Sequence, residues 1–272
     1  MINWMKYRPL YFAISGIVIA LGVFSMLRWG FKVGIDFTGG SVLEYKLPDG
    51  GSRIVKSTAF DQAKRDEIKS NLEKETGGKV EETRVENVGP VVGPELIKKT
   101  IYALAISAGA ILLWIAYQFK SIKFGISATL ATIHDSLIVL GSFSLLGHFF
   151  GAEVDFLFVT AILTILAFSV HDTIVVFDRI REMKKKIGMG TDIIEFANRA
   201  LSETMVRSLN NSFTIIFMLI ALILLGGDTI KWFAVALLIG TVSGTYSSPF
   251  VAVPLLVTWD ELQKKWRARK RS

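Results

Sequence analysis

The sequence predicts a polytopic α-helical membrane protein, with six transmembrane helices and a small α+β extracytoplasmic domain between helices 1 and 2. Three observations predict it. The chain of 272 residues is 51% hydrophobic yet carries a formal net charge of +7, a pairing expected where basic residues are gathered into a few loops between apolar spans. Six stretches are apolar over about 20 residues, the length that crosses a bilayer. One connection, Gly30 to Glu95, is far longer than the others and rich in charge of both signs.

The spans are expected at Tyr11–Leu27, Leu96–Tyr117, Phe124–Phe149, Asp155–Phe177, Val206–Leu225 and Ile230–Val257. Lys6 and Arg8 ahead of the first resemble a signal peptide, but the span is long and no clear small-residue cleavage site follows, so it reads as a retained helix. With the N-terminus inside, the inner loops hold Lys120, Lys123, Arg179, Arg181, Lys184 to Lys186, Arg199 and the tail Lys264 to Arg271, whereas the short outer loops hold Glu153, Asp155, Asp228 and a single Lys231. The bias in Lys and Arg puts both termini in the cytoplasm. Residues 1–29 are then the N-terminus and helix 1, and 30–95 the extracytoplasmic domain. Residues 96–257 hold helices 2 to 6, with a cytoplasmic amphipathic segment at about 181–203, and 258–272 form a basic cytoplasmic tail.

Within the outer domain, Ser41 to Leu47 alternates like a half-buried strand and the Pro-Asp-Gly-Gly after it makes a turn. Ser57 or Thr58 can cap a helix running to about Glu75, with Phe60, Ala63, Ile68 and Leu72 as its apolar stripe and Gly77-Gly78 as its stop. Lys79 to Val88 reads as another strand. A domain this small is expected to lean on a neighbour. On the inner side, Thr191 or Asp192 can cap a helix with an apolar face of Ile193, Ile194, Phe196, Ala197, Ala200 and Leu201, which suggests an interfacial helix pair over Arg181 to Glu203.

Several chemistries are excluded. No cysteine is present, which removes disulfides, thiolate metal sites and thiol nucleophiles. Neither H-E-x-x-H nor a Walker A pattern occurs, and the glycine-rich GIDFTGG, Gly34 to Gly40, fits no phosphate-binding spacing. That motif instead suits a tight turn between the first span and the first strand, in which Gly34, Gly39 and Gly40 supply the bend and Asp36 can bond backbone amides of the turn. No metal, covalent catalysis or bound cofactor is expected.

The informative residues are ionisable ones at membrane depth. Asp172 stands seven residues before Arg179, about 10 Å inside the boundary at 1.5 Å per residue. A short carboxylate there must pair with a cation, line a wet cavity or take up a proton, which makes it a proton-site candidate; the alternative is a helix-packing carboxyl satisfied by Ser, Thr or Asn. Arg207 is its cationic partner by depth, unless it snorkels to the headgroups. Asp135 lies near mid-membrane in the third span, beside His134, and His171 precedes Asp172; either histidine can shuttle protons or simply pack. Gly240 to Pro249 is too rich in small and hydroxyl residues for a lipid-facing helix and is expected against the fourth and fifth spans.

These stretches together resemble the SecF branch of the SecD/SecF family, within the resistance-nodulation-division superfamily. The resemblance covers nearly the whole chain: GIDFTGG after the first span, VGPELI before the second, HD in the third, HDTIVVFDRIRE ending the fourth and SETMVRSLNNS entering the fifth. The usual fourth-span form has Asn where His171 stands, so this chain adds a titratable group beside the acid. The resemblance implies half of a twelve-helix assembly completed by SecD, in the bacterial inner membrane. Its implied function is to use the proton motive force to promote export of unfolded preproteins emerging from SecYEG. YajC and YidC are further implied partners, nucleic acid is not, and the proton is the coupling ion. It also implies that Asp172 and Arg207 belong to a proton path, to which Asp135, His134 and His171 are added here. A scaffold joining SecD, SecYEG and an insertase, and a proton-driven exporter of small hydrophobic compounds, are the alternatives.

Overall fold

The computed structural model describes residues 2–48, 50–57, 61–88, 92–187 and 192–270. A 3-10 turn at Trp4–Tyr7 leads into α1, Arg8–Trp29, with Pro9 in its first turn, where a missing N–H costs nothing. After a short α2, Ile35–Thr38, come β1, Gly40–Lys46, β2, Ser52–Ser57, α3, Gln62–Thr76, and β3, Glu81–Val88. The remaining membrane helices are α4, Val92–Phe119, α5, Ile122–Phe150, α6, Phe156–Ile187, α7, Ile193–Leu225, and α8, Asp228–Ser247; a π-helical turn, Ser248–Ala252, joins α8 to α9, Val253–Arg269. Six helical rods are long and apolar enough to cross a membrane, the sixth being α8, the π turn and α9 together. This matches the expected fold class.

Burial sorts the rods. About half of the apolar window of α5, α6 and the α8–α9 rod is buried within the chain, against 6–17% for α1, α4 and α7. The first three form the centre, and the others present long apolar faces outward. Helices α1 and α5 run parallel and nearly touch. A Cβ on Gly22 would lie 3.2 Å from the Gly141 Cα, and Ser25 Oγ donates to Ser144 Oγ at 2.8 Å. The small residues of α8 meet α6, where a Cβ on Gly240 would overlap Ile165 and one on Gly244 would lie 3.4 Å from the Ser169 Cα. Thr245 Oγ1 donates to Ser212 Oγ of α7 at 2.7 Å. The expected placement of Gly240 to Pro249 against the fourth and fifth spans is thus observed, and the same stretch also reaches α5.

The segment joining α6 to α7 differs from expectation. Instead of an interfacial pair, α6 continues to Ile187 and α7 begins at Ile193 and runs unbroken to Leu225. The reason is packing. Ile193, Phe196, Ala197, Ala200 and Leu201 are buried in one cluster with Phe177, Ile180, Met183, Leu256 and Val257, so this apolar face is spent on α6 and α9 and not on the bilayer surface. Asp192 occupies the N-cap position without bonding the helix amides; Thr191 lies outside the described residues. The N-terminus is tied to the same region through Trp4 Nε1, which donates to Ser202 Oγ at 3.0 Å.

The domain between α1 and α4 is a three-stranded antiparallel sheet, order β2-β1-β3, with α3 on one face. Leu43 and Tyr45 of β1 alternate inward against Leu72 of α3 and Val80. Two expectations are corrected. The stretch Ser52–Ser57 is a strand, and Ser57 pairs with Ser41 instead of capping α3. The cap is Asp61, whose Oδ1 accepts from the Lys64 amide at 2.9 Å. Thr58 and Phe60 lie outside the described residues, and Ala63 is exposed. The domain does lean on the membrane rods: Lys56 ion-pairs with Glu153, Ser52 Oγ donates to Asp228 at 3.0 Å, and Thr229 Oγ1 donates to Glu44 at 3.0 Å.

Candidate functional site

A polar seam crosses the apolar core where α5, α6, α7 and α8 meet. Its first centre is Asp135, near the middle of α5 and 0% exposed. Ser169 of α6 and Ser247 of α8 donate to its Oδ2 at 2.6 Å each, and Ser243 of α8 donates to Oδ1 at 2.6 Å. His134 Nδ1 lies 3.0 Å from the same Oδ1. An ionised carboxylate is acceptor-only with about four lone-pair positions, so this set of partners fills it. Close approach makes the cluster possible: with no side chain at Gly244, which faces Ser169 and Asp135, α8 comes near enough for two of its serines to reach one carboxylate.

The second centre is Asp172, one turn of α6 further along and 5% exposed. Among the described residues it receives a single hydrogen bond, from Ser208 Oγ of α7 at 2.5 Å. Beside it, Thr173 Oγ1 lies 3.0 Å from Ser248 Oγ of the π turn. Residues on α6 thus face both centres: Ser169 holds Asp135, and three positions later Asp172 faces α7. Where α6 and α7 leave the core, Arg179 clamps them together, donating from Nε to Glu203 at 2.6 Å and pairing with Glu182.

The two acids differ in how they are held. Asp135 is bound from three helices by four partners, whereas Asp172 has one hydroxyl that can turn away. A serine in a helix can return its hydroxyl to the carbonyl four residues earlier, which for Ser208 is that of Thr204. The expected pairing of Asp172 with Arg207 is not formed. Arg207 is exposed on α7 and makes no ion pair among the described residues, because it is one residue from Ser208 and so about 100° around the helix. His171 is likewise exposed, about 100° around α6 from Asp172, and forms no ion pair with it among the described residues. His134 is buried, stacks at 6.3 Å on Tyr246, and its Nε2 has no partner. The two His-Asp pairs do not converge, and among the described residues no three His, Asp or Glu side chains form a metal-binding group.

Ser169 and Ser208 had no signal of their own in the sequence beyond lying near the acids, and Ser243 and Ser247 were marked only as part of a small-residue stretch. Asp36 also does something unforeseen. Its Oδ2 accepts from the Phe156 amide at 2.8 Å, so it caps α6 from a distance of 120 positions instead of bonding its own turn. Asp155 Oδ1 accepts from the Phe158 amide at 2.7 Å. Two carboxylates therefore meet the positive end of the helix that carries Asp172. Gly34 donates its N–H to the Val154 carbonyl at 2.9 Å, and a Cβ there would press on the Asp155 Cβ at 3.0 Å. Gly39 and Gly40 adopt φ of 74° and 136°, conformations that favour glycine. GIDFTGG is thus the joint by which the root of the α+β domain grips the first turn of α6.

Known proteins are similar to this chain in sequence and in fold. Residues 68–262 match the model of the protein export membrane protein SecD/SecF family, C-terminal region. The protein translocase subunit SecF of Thermobaculum terrenum is 40% identical, with 96% of this chain and 94% of the relative aligned. The protein translocase subunit SecF of Anaerolinea thermophila is 34% identical over 98% and 96% of the two chains. Among solved structures, the crystal structure of SecDF, a translocon-associated membrane protein from Thermus thermophilus, superposes with a TM-score of 0.83 at 30% identity. That match covers 96% of this chain and 39% of the SecDF chain, so the present chain spans about two fifths of that protein. The chain therefore belongs to the SecD/SecF family of protein export membrane proteins, in its SecF branch.

Proposed function

We propose that this chain acts with a SecD partner to couple proton passage to the export of preproteins leaving SecYEG, with Asp172 as the group that takes up and releases the proton. The observation that carries this reading is the contrast between the two buried acids: Asp172 alone is held by one rotatable hydroxyl, on a helix whose outer end is clasped by the outer domain. Protonation removes the charge and adds a donor, leaving the carboxyl a weaker acceptor for Ser208. Ser208 then no longer needs to donate to it, and the hydroxyl is free to return to the Thr204 carbonyl. The contact between α6 and α7 loosens, α6 moves, and the Asp36 cap carries the displacement into the outer domain. A potential supplies about 2.3 kcal/mol per charge per 100 mV, enough for one or a few protons to bias a two-state element whose gap is a few kcal/mol.

Arg207 enters this scheme from the exposed face of α7. Exposed on the lateral face of α7, it is placed to meet SecD, where it holds the path electrically positive when Asp172 is neutral. His171, exposed on α6, is a further titratable group next to Asp172 in this scheme. Asp135 and His134 form the fixed end of the path. The basic inner loops support an orientation with both termini in the cytoplasm and the outer domain on the extracytoplasmic side. YajC and YidC are proposed as further partners on the resemblance alone.

A scaffold role is the second reading, and the fully bonded Asp135 favours it for that residue. Both are tested by export of a Sec-dependent substrate after ATP-driven insertion, with and without a proton gradient, comparing wild type and Asp172→Asn at matched complex levels. Normal assembly with loss of the gradient-dependent part supports the coupling role. Failure to assemble, or unchanged export, overturns it.

A further inference from the structure

Where the rods emerge on the side that carries both chain ends, the α4–α5 turn, α6, α7 and α9 surround a cavity of about 750 Å³. Its rim carries six cations, Lys120, Lys123, Arg181, Lys184, Lys264 and Arg267, against one lining carboxylate, Asp260. Lys123 and Lys264 are engaged with Asp260, and Lys264 also with Asp192 at 3.3 Å. Arg181 lies over the Phe119 ring at 5.4 Å and donates to the Gln118 carbonyl at 2.8 Å. Lys120, Lys184 and Arg267 are exposed and have no carboxylate partner among the described residues. The walls beneath the cations are apolar, with Phe119, Phe124 and Phe196.

A second groove of about 490 Å³ adjoins this cup on the neighbouring side of α9, and Trp259 and Gln263 line both. The groove is apolar, with Leu262 61% and Trp266 58% exposed. Besides Gln263 it holds Thr258, whose Oγ1 is buried and without a hydrogen-bond partner among the described residues. A buried hydroxyl left unpaired is costly, and a turn of the Thr258 side chain would aim it at an acceptor in the groove.

We propose that cup and groove together bind one acidic glycerophospholipid. The phosphate sits among Lys120, Lys184 and Arg267, a glycerol ester carbonyl accepts from Thr258, and an acyl chain lies along Leu255, Leu262 and Trp266. An acidic peptide would satisfy the cup but would leave the groove and Thr258 unused. A neutral lipid would satisfy the groove but leave the cations uncompensated. The lipid would bridge the α4–α5 turn, α6 and α9, the three elements that close the inner end of the core.

The test uses the full chain in detergent and native mass spectrometry with phosphatidylglycerol or phosphatidylcholine. Wild type is expected to retain phosphatidylglycerol selectively, and K120Q/K184Q/R267Q, which removes no ion pair seen in the structure, to lose that selectivity. At about 1 kcal/mol per basic residue near an anionic headgroup, each substitution weakens retention about fivefold. Phosphatidylglycerol brominated on its acyl chains is expected to quench Trp259, and Trp259→Phe to remove that share of the quenching. Equal retention of the two lipids, no effect of the triple substitution, or no quenching at Trp259 overturns the proposal. So does displacement of the lipid by glycerol 3-phosphate or polyglutamate, which would leave an anion cup with no lipid specificity.

Discussion

Gly22 of α1 and Gly141 of α5 meet backbone to backbone, and the contact sets a register for the whole pair. Ser25 and Ser144 are hydrogen-bonded at a separation of 119 positions, and Trp29 stacks on His148 at 4.7 Å with the same offset. One heptad earlier, the offset brings Ser15 opposite His134. Ser15, Gly22 and Ser25 are the buried residues of α1, so a single face of this helix reads along a single face of α5.

Substitution at the glycine contact is expected to separate the two helices. A Cβ on Gly141 would overlap Gly22, whereas one on Gly16 would meet nothing within 4 Å. Gly141→Val is expected to destabilise by at least the 1–3 kcal/mol typical of overpacking, and Gly16→Ala to be neutral. Thermal unfolding of the purified protein in a fixed detergent measures both.

Solvent is expected between Ser15 and His134. Both side chains are buried, at 6% and 5% exposure, and both Ser15 Oγ and His134 Nε2 are unpartnered. Tyr246 stacks on the histidine and donates to the Tyr11 carbonyl at 3.0 Å, one turn below Ser15, so the two orphan atoms share a corner. Buried water satisfies such groups. Ordered density within about 3 Å of both atoms in a high-resolution structure of the assembled complex is the expected result; a direct Ser15–His134 hydrogen bond would exclude it.

Asp135 and Asp172 are expected to respond differently to loss of charge. Asp135→Leu strips the acceptor from three buried hydroxyls and His134, and breaking such a network costs about 3–5 kcal/mol, so the yield of folded protein falls. Asp172→Asn leaves an acceptor for Ser208, and yield is retained. Recovery of protein from membranes, measured for both in parallel, checks the contrast.

The Asp36 cap is expected to be replaceable by another acceptor but not by a methyl group. Asp36→Ala costs about 1 kcal/mol at the start of α6 and Asp36→Asn much less. Hydrogen exchange at the Phe156 amide is expected to accelerate in the first variant and to stay near wild type in the second.

Hydropathy made the six spans and the outer domain legible, because about 20 apolar residues in a row have few other uses. The helix ends were not, since Ile193 to Leu201 has the pattern of a surface helix whether that face meets lipid headgroups or α6 and α9. Strand β2 was missed because none of its residues is buried and its sequence carries little alternation. The acids were visible as charges in apolar sequence, but their partners were serines, which are common in membrane helices and acquire meaning only from the packing of α8 on α5 and α6. The direct pairing of Asp172 with Arg207 was expected from depth alone; depth does not fix the angle around a helix, and Ser208 has the favourable one.

The π turn at Ser248–Ala252 has a consequence for the rod it interrupts. It contains Pro249, which has no N–H to give to the helix ladder, and it holds one residue more than an α-helical turn would. Removing one residue there would leave every other side chain present but rotate α9 by about 100° relative to α8. Ser243 and Ser247 would still face Asp135, while Trp259 and Arg267 would swing away from the α4–α5 turn. The turn is therefore a phase setting: the inner and outer halves of the sixth rod each read their own neighbours, and one residue of surplus keeps the two readings in step.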